Sequence, residues 1–447
     1  MKILIIGGDA AGMSAASQIR RREKDWEITV LEQGQFTSYS ACGIPYFFAG
    51  DLDRFEDLVI VTPEQFKEKR DIEVLTGHRA QAIDRKAKTV TAQDPHGKAL
   101  TLEYDRLMIA TGAGPILPQW PGMELRGVTP LRNLQDTQRV QALLQEKPQR
   151  CVVVGGGYIG LEMVEAFHRL GLQVTLLEKL PGLMGNAEAL VTEQALKALE
   201  AKGIEVHLET TVTGFSGKQG KLSAVETESG SYPADLALIS LGVKPNAQLA
   251  EAAGLIIGHT GAISVDRLQR TSDPSVFSAG DCAEAYHLVL ERNAYIPLAL
   301  NANRAGRIAG ANMTGAEEMF PGTLGSAVTR IFDLVIARTG LDEPSLKQEK
   351  LAYKTVEIKS SDRAEYMKGS GPLWVKIFYD PKEHHLLGAW VLGEDESAGK
   401  RCDILATAIT AKMNLGQVAD LDLCYAPPFS GVWDPVLQAA NKARFTW

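Results

Sequence analysis

The sequence predicts an α/β chain, with two similar parallel-sheet units followed by a C-terminal α+β domain. Three observations predict it. Residues 2–32 and 150–178 repeat one pattern: an apolar strand, a glycine-rich turn, a helix, and a second apolar strand that ends in Glu. The strands of both copies are continuous apolar runs, as parallel strands buried on both faces require. From about residue 325 the pattern changes to alternating strands, such as 373–379 and 386–392, with an amphipathic helix over 398–413.

Composition sets the outer bounds. A chain of 447 residues exceeds what one hydrophobic core organises, so two to four domains are expected. With 45% apolar and 23% charged residues it reads as an ordinary globular protein. A formal charge of −8 argues against a general binder of nucleic acid or anionic membranes, and an anionic ligand would need a local basic pocket. The N-terminal apolar run flows straight into a glycine turn and is too short for a secretory segment. No stretch reaches the length of a transmembrane helix. Five scattered cysteines with no CxxC pair make a disulfide framework or a zinc site unexpected, so no metal and a cytoplasmic location are predicted.

The elements follow in order. Residues 2–6 lead into Gly7-Gly8-Asp9-Ala10-Ala11-Gly12, and residues 28–31 lead to Glu32. Residues 105–109 form a strand ending in Ala110-Thr111-Gly112, after which Pro115, Pro118 and Pro121 suggest a crossing between domains. Residues 151–154 precede Gly155-Gly156-Gly157-Tyr158-Ile159-Gly160, and residues 174–177 lead to Glu178. The second unit closes with 236–241 and Gly242, and residues 271–281 follow, ending in Ala279-Gly280-Asp281.

A glycine turn that opens a helix lets a pyrophosphate approach the backbone and rest on the helix N-terminus, while an acidic residue at the end of the next strand accepts hydrogen bonds from ribose hydroxyls. A packing turn that binds no nucleotide could use the same glycines, but the duplication, with Glu32 and Glu178 each in place, favours two Rossmann-like dinucleotide sites. The first turn departs from the pattern at Asp9, with Gly8 supplying backbone freedom. Glu178 would repel a 2′-phosphate and so favours NADH over NADPH, a preference that Lys179 softens.

Together these motifs resemble the two-dinucleotide-binding-domain flavoprotein disulfide reductases over essentially the whole chain. The resemblance implies an FAD-binding domain over 1–115 and 246–324, an NAD(P)H-binding domain over 116–245 and a dimerisation domain over 325–447. It implies FAD on Gly7, Gly8, Ala11, Gly12, Glu32, Ala110, Thr111, Gly112, Gly280 and Asp281, the last on the ribityl chain rather than a plain helix cap. It implies NADH or NADPH on Gly155, Gly157, Tyr158, Ile159, Gly160, Glu178 and Gly242, with Tyr158 gating the flavin face that meets the nicotinamide.

Cys42, in Ser40-Ala41-Cys42-Gly43-Ile44-Pro45, lies ten residues beyond Glu32 and has no nearby second cysteine. A lone thiol beside a flavin implies chemistry through a mixed disulfide, a persulfide or a sulfenic acid. The paired cysteines and the C-terminal His–Glu pair of glutathione-reductase-like members are absent, and His384 and His385 fall in a polar hairpin. The chain therefore resembles the single-cysteine subgroup: coenzyme A disulfide reductases, NADH oxidases and peroxidases, and persulfide reductases. Coenzyme A disulfide reductases match best. The resemblance places Tyr366 and Tyr425 at the partner subunit's active site in a homodimer, and gives Gln18, Arg21, Ser38 and Arg70 to coenzyme A. An ordinary interface role for the tyrosines, and a solvated helix end for Arg20–Arg22, are the plain alternatives.

Ala41 replaces the Asn that usually precedes the cysteine, and the chain reaches Trp447 with no appended rhodanese-like segment. NADH oxidase, coenzyme A-linked persulfide or polysulfide reductase, and a thiol-based flavin redox sensor remain as alternatives. Cys151 and Cys282 read as core residues, Cys402 as a helix residue, and Cys424 as a possible resolving thiol beside Tyr425.

Overall fold

The computed structural model describes residues 1–445, and contacts group them into two compact units. The first comprises 1–118, 130–146 and 241–323; the second comprises 119–129, 147–240 and 324–445.

The first unit is built on a five-stranded, all-parallel sheet. Its order is Val276–Ser278, Arg106–Ile109, Lys2–Ile6, Glu27–Glu32, Glu73–Thr76. Side chains alternate across a strand, so the central strand feeds two cores at once. Ile3 and Ile5 pack with helices Ala10–Arg22 and Ala299–Asn312, while Leu4 and Ile6 face a second core that includes Val90, Ala92 and Tyr104. Those last residues lie on or beside the antiparallel sheet Arg79–Asp84, Thr89–Gln93, Ala99–Glu103. Both faces of the parallel sheet are thus covered, which explains its unbroken apolar strands.

The two helices on the first core approach through small residues. A Cβ on Gly306 would run into the carbonyl oxygen of Ala11, and one on Gly310 would lie 2.5 Å from that of Ala15. Near the crossing read from the proline run, Ala113–Pro115 pairs antiparallel with Val243–Pro245. Residues 130–146, assigned by sequence to the inserted domain, group with the first unit, where Arg132 bonds Asp281 and the carbonyl of Ala113.

The second unit holds the echo of this plan. Its sheet runs Glu205–His207, Gln173–Leu177, Arg150–Val154, Leu236–Ile239, Val128–Pro130, with the first four strands parallel. A five-stranded antiparallel sheet, ordered Ala327–Ile331, Leu334–Gly340, Leu386–Gly393, Pro372–Tyr379, Lys354–Ser361, packs with helices Ser397–Thr410 and Pro435–Arg444. Carboxylates join the two sheets' surroundings: Glu162 accepts from Thr329 Oγ1 (2.8 Å), Glu165 from the Phe332 amide (2.6 Å) and Glu188 from the Glu343 amide (2.7 Å). The mixed α/β architecture with a C-terminal α+β part agrees with the fold class expected from the sequence.

Gly306→Ala is expected to overpack the helix pair and cost about 1–3 kcal/mol, lowering the thermal midpoint by several degrees. Ala299→Ser, at the exposed start of the same helix, should leave it unchanged. Equal midpoints for the two variants by calorimetry would show that the close approach does not limit stability.

Candidate functional sites

The first glycine turn is shaped by backbone rather than side chains. Gly7 has φ +110°, where a Cβ would strike the carbonyl of Ala110, and a Cβ on Gly12 would strike the carbonyl of Gly7. The turn therefore closes directly onto helix Ala10–Arg22. No side chain caps that helix, so its first-turn amides remain available to an anion. Glu32 braces the turn: its carboxylate accepts from the amides of Gly8 (2.8 Å) and Gly34 (2.6 Å). Burial pushes the Glu32 carboxyl upward against those two donors.

Around this turn the other expected residues assemble. Thr111 and Asn246 exchange two hydrogen bonds, Thr111 Oγ1 to the Asn246 carbonyl (2.7 Å) and Asn246 Nδ2 to the Thr111 carbonyl (2.9 Å). Gly112 continues that turn with open space at its Cβ position. A Cβ on Gly280 would lie 2.9 Å from that of Ala11, which lets the Gly280–Asp281 turn sit against the start of the helix. Asp281 accepts from Arg132 Nη2 at 2.6 Å, while burial pushes its carboxyl upward.

Among this unit's described residues three buried polar atoms lie unsatisfied: the hydroxyls of Tyr104 and Tyr295, and Asn301 Oδ1. Burial pushes the Tyr295 phenol up, and the Asp281 charge adds to that rise. A buried hydroxyl without a partner is costly unless a ligand supplies one. Uncapped helix amides and a glycine cradle fit a dinucleotide.

The second turn repeats the geometry. Gly155 has φ +107°, a Cβ on Gly160 would strike its carbonyl, and helix Tyr158–Arg169 starts at Gly157 without a side-chain cap. Glu178 accepts from the amides of Gly156 and Leu180, both at 2.7 Å, and is buried. Tyr158 is the first residue of the helix, beside Ile159. Burial pushes its phenol up to about 12, with Arg338, Asp342 and Cys402 as charged or ionisable neighbours. Gly242 falls in the first unit, where its carbonyl accepts from the Ile116 amide (2.9 Å).

A cavity of about 430 Å³ opens on the far side of helix Ala10–Arg22, between it and helices Pro63–Arg70 and Ala299–Asn312. Arg21, Ser38 and Arg70 meet on its wall, joined by Arg304, Arg307 and Asn303, with Met13, Val61 and Phe66 as apolar lining. No acidic residue lines it. Arg307 pairs with Glu318 (3.1 Å), whereas Arg21, Arg70 and Arg304 have no ion pair among the described residues. Arg70 is fixed by Ser17 Oγ (2.6 Å) and by stacking over Phe66 at 5.3 Å.

Gln18 is not on the wall but accepts from Arg21 Nη1 at 3.3 Å. The basic helix end divides. Arg20 is buried and donates to the carbonyls of Arg70 (2.9 Å), Trp26 (2.7 Å) and Asp71 (2.8 Å), Arg21 reaches the cavity, and Arg22 pairs outward with Glu318 at 3.8 Å.

Cys42 sits in a short 3₁₀ turn, Ala41–Gly43, which runs into helix Ile44–Phe48; it is exposed, and none of the five cysteines forms a disulfide. Its approach segment is held taut. Ser38 has a left-handed φ of +48°, its amide bonds the carbonyl of Gly8 (2.9 Å), and its own carbonyl accepts from the Ile60 amide (2.9 Å). Ser38 is thus shared between the cavity wall and the chain that leads to Cys42. Cys151, Cys282 and Cys402 are buried and their thiols raised by burial, Cys402 to about 12, so they are unsuited to thiolate chemistry, whereas Cys424 is exposed.

In the second unit, Tyr366 is 76% and Tyr425 49% exposed, in an apolar surface that also presents Phe429, Val432 and Trp433. Their loops are tied together: the Ala364 amide bonds the Pro427 carbonyl (3.1 Å), and buried Arg401 donates to the carbonyls of Asp362 (2.7 Å) and Phe429 (3.2 Å) and to Asp434 (2.9 Å). His384 and His385 lie in the turn between Pro372–Tyr379 and Leu386–Gly393. Among the described residues no His, Cys, Asp and Glu group could hold a metal ion, and no helix is long and apolar enough to cross a membrane.

Sequence reasoning missed Arg132, Tyr295, Arg304 and Arg307. Arg304 and Arg307 project from one face of helix Ala299–Asn312 at i, i+3 spacing, a signal that could have been read as a second basic stripe.

Residues 1–306 match the family model described as pyridine nucleotide-disulphide oxidoreductase, and residues 326–436 match that family's dimerisation domain. The NAD(P)H coenzyme A polysulfide/persulfide reductase of Pyrococcus horikoshii is 35% identical over 445 residues, 99% of this chain and 98% of that protein. The coenzyme A disulfide reductase of Staphylococcus haemolyticus is 29% identical over 447 residues, 99% of each chain. The structure of an NAD-dependent persulfide reductase from A. fulgidus superposes with a TM-score of 0.96 at 38% identity, covering 100% of this chain and 83% of that one. With both family models and near-complete coverage in agreement, the chain belongs to the pyridine nucleotide-disulphide oxidoreductase family.

Proposed function

We propose that this protein is an FAD-containing NAD(P)H oxidoreductase that reduces coenzyme A disulfide through Cys42. The observation that carries the reading is the arginine-lined cavity, which shares Ser38 with the chain leading to Cys42. Coenzyme A is rich in phosphate, and guanidinium groups without carboxylate partners are the donors that bind phosphate bidentately. Arg21, Arg70 and Arg304 hold the phosphates, with Ser38 and Asn303 as uncharged donors and Phe66 and Met13 as apolar support. We assign residues 1–115 and 246–324 to FAD, 116–245 to NAD(P)H and 325–447 to dimerisation, with 130–146 and 241–245 packed among the FAD-assigned residues.

The Cys42 thiolate attacks one sulfur of the substrate. A bond forms between the two sulfurs as the original disulfide breaks, and the departing coenzyme A thiolate takes the electron pair and then a proton. Bound FAD supplies the electron pair, drawn from NAD(P)H, that returns the mixed disulfide to thiolate. In sum, one disulfide, one NAD(P)H and one proton give two thiols and NAD(P)+. Tyr366 and Tyr425 of the partner subunit are the proposed proton donors to the leaving thiolates, as phenols suited to that role. Glu32 and Glu178 orient the two riboses, and a buried Glu178 with both oxygens already engaged by amides favours NADH. The scattered, unbridged cysteines support a reducing, cytoplasmic setting.

A second reading, reduction of coenzyme A-linked persulfide or polysulfide, is favoured by the names of the relatives at 35% and 38% identity. The same cavity serves it, because the coenzyme A portion of the substrate is unchanged.

Three experiments test these assignments. Under anaerobic conditions Cys42→Ser should lower NADH turnover with coenzyme A disulfide by more than about a thousandfold; survival of that turnover overturns the cysteine mechanism. Run in parallel with polysulfide and peroxide, the wild-type rates decide between the two readings, and equal rates on all three would defeat any dedicated substrate. Arg304→Gln should raise KM for coenzyme A disulfide by about tenfold with kcat little changed, as loss of one charge-assisted contact predicts; an unchanged KM removes the cavity from substrate binding. Sedimentation should give a dimer, and a fully active monomer would exclude Tyr366 and Tyr425 from acting across subunits.

A further inference from the structure

The first glycine turn carries an aspartate at a position where a carboxylate is out of place. Asp9 is the N-cap residue of helix Ala10–Arg22, with extended backbone (φ −115°, ψ −153°), yet its side chain does not cap the helix. Its Oδ1 accepts instead from the amide of Tyr39, 3.1 Å away on the segment that leads to Cys42. The carboxyl therefore lies beside uncapped helix amides, where the assigned FAD diphosphate would rest.

The charges around it do not balance. Facing Asp9 are Glu32 from strand Glu27–Glu32, Tyr39 from its own segment, and Arg132 from the stretch before helix Leu134–Leu144. Asp136 on that helix and Asp281 join through Arg132, whose amide bonds Asp136 (3.0 Å) and whose guanidinium bonds Asp281 (2.6 Å). Asp136 has Arg139 at 3.1 Å, Asp281 has Arg132, and Glu32 has two short amide donors. Among the described residues Asp9 has no cation in contact, only the Tyr39 amide and its neighbour's amide at Ala10. Burial, opposed by those amides and reinforced by Glu32, pushes its carboxyl up to about 7. A diphosphate placed on the helix amides would add negative charge to a cluster that already holds more carboxyls than guanidinium groups, and like charges at short range in a buried site drive protonation.

We propose that Asp9 binds FAD as a neutral carboxylic acid whose O–H serves the diphosphate as a hydrogen-bond donor, so that FAD binding takes up a proton. This rests on the assignment of the first glycine turn to FAD. The sign follows from the raised group. Below about pH 7 Asp9 is already protonated in the apoprotein and affinity is level. Above it the proton must be acquired on binding, and Kd rises by about tenfold per pH unit until the acid of the holoprotein itself titrates. The cofactor's diester phosphates stay ionised throughout and contribute no slope.

The test is fluorescence titration of apoprotein with FAD across this pH range, with calorimetry in buffers of differing ionisation enthalpy to count protons. Wild type should show the rising Kd and uptake approaching one proton; Asp9→Asn, which keeps a donor, should bind FAD with a level Kd and exchange none. A level wild-type Kd without proton uptake overturns the proposal, and needs no variant to fold. A slope that Asp9→Asn retains but Glu32→Gln abolishes also overturns it, by assigning the proton to Glu32. The assignment of the turn is tested separately: Gly12→Val should abolish FAD binding and Gly160→Val should not, and the reverse would refute the site rather than the protonation.

Discussion

Both nucleotide cradles depend on one contact that only glycine permits: the start of a helix pressed against the carbonyl that ends the preceding strand. Gly12 against Gly7 and Gly160 against Gly155 make it in the two units. Any side chain would lift the helix off the strand, and its first-turn amides would no longer point at the space beyond the sheet edge. Glu32 and Glu178 then fasten each turn from the neighbouring strand by accepting the amides of Gly8 and Gly156. Fold and binding chemistry are therefore set by the same few atoms.

Helix Ala10–Arg22 carries this geometry further. Its N-terminus faces the cradle, one face packs on the sheet, and Ser14, Ser17 and Arg21 line the arginine cavity. The small residues of helix Ala299–Asn312 let it lie close alongside, which brings Arg304 and Arg307 to the same wall. Arg20, buried and saturated with carbonyl partners, ties the helix end to Pro63–Arg70 and so positions Arg70. One helix thus separates a carboxyl-rich pocket at its start from a guanidinium-rich one along its length. In a chain of formal charge −8, this segregation keeps the guanidinium groups of the cavity apart from carboxylates.

In the second unit a different arginine organises the surface. Each guanidinium nitrogen of Arg401 donates as it joins the loop that bears Tyr366 to the segment that bears Tyr425 and Phe429. The exposed aromatic surface is consequently held by a buried polar network rather than by its own packing.

The strand, glycine turn and acidic residue of each cradle, together with Cys42, were legible in the sequence because each arises within about thirty consecutive residues, where spacing and hydrophobic period carry the geometry. Arg132, Arg304 and Arg307 were not, because each meets residues far away in the chain: Arg132 bonds Asp281, and Arg304 and Arg307 line one cavity with Arg21 and Arg70. Gln18 shows the converse, a residue in the right stretch whose side chain supports Arg21 instead of the cavity. By itself the sequence determined the α/β plan, the two dinucleotide turns and the lone thiol. Only the tertiary structure decided which basic residues share a pocket and how charge balances around Asp9, because electrostatic environment depends on distances between segments that local spacing does not encode.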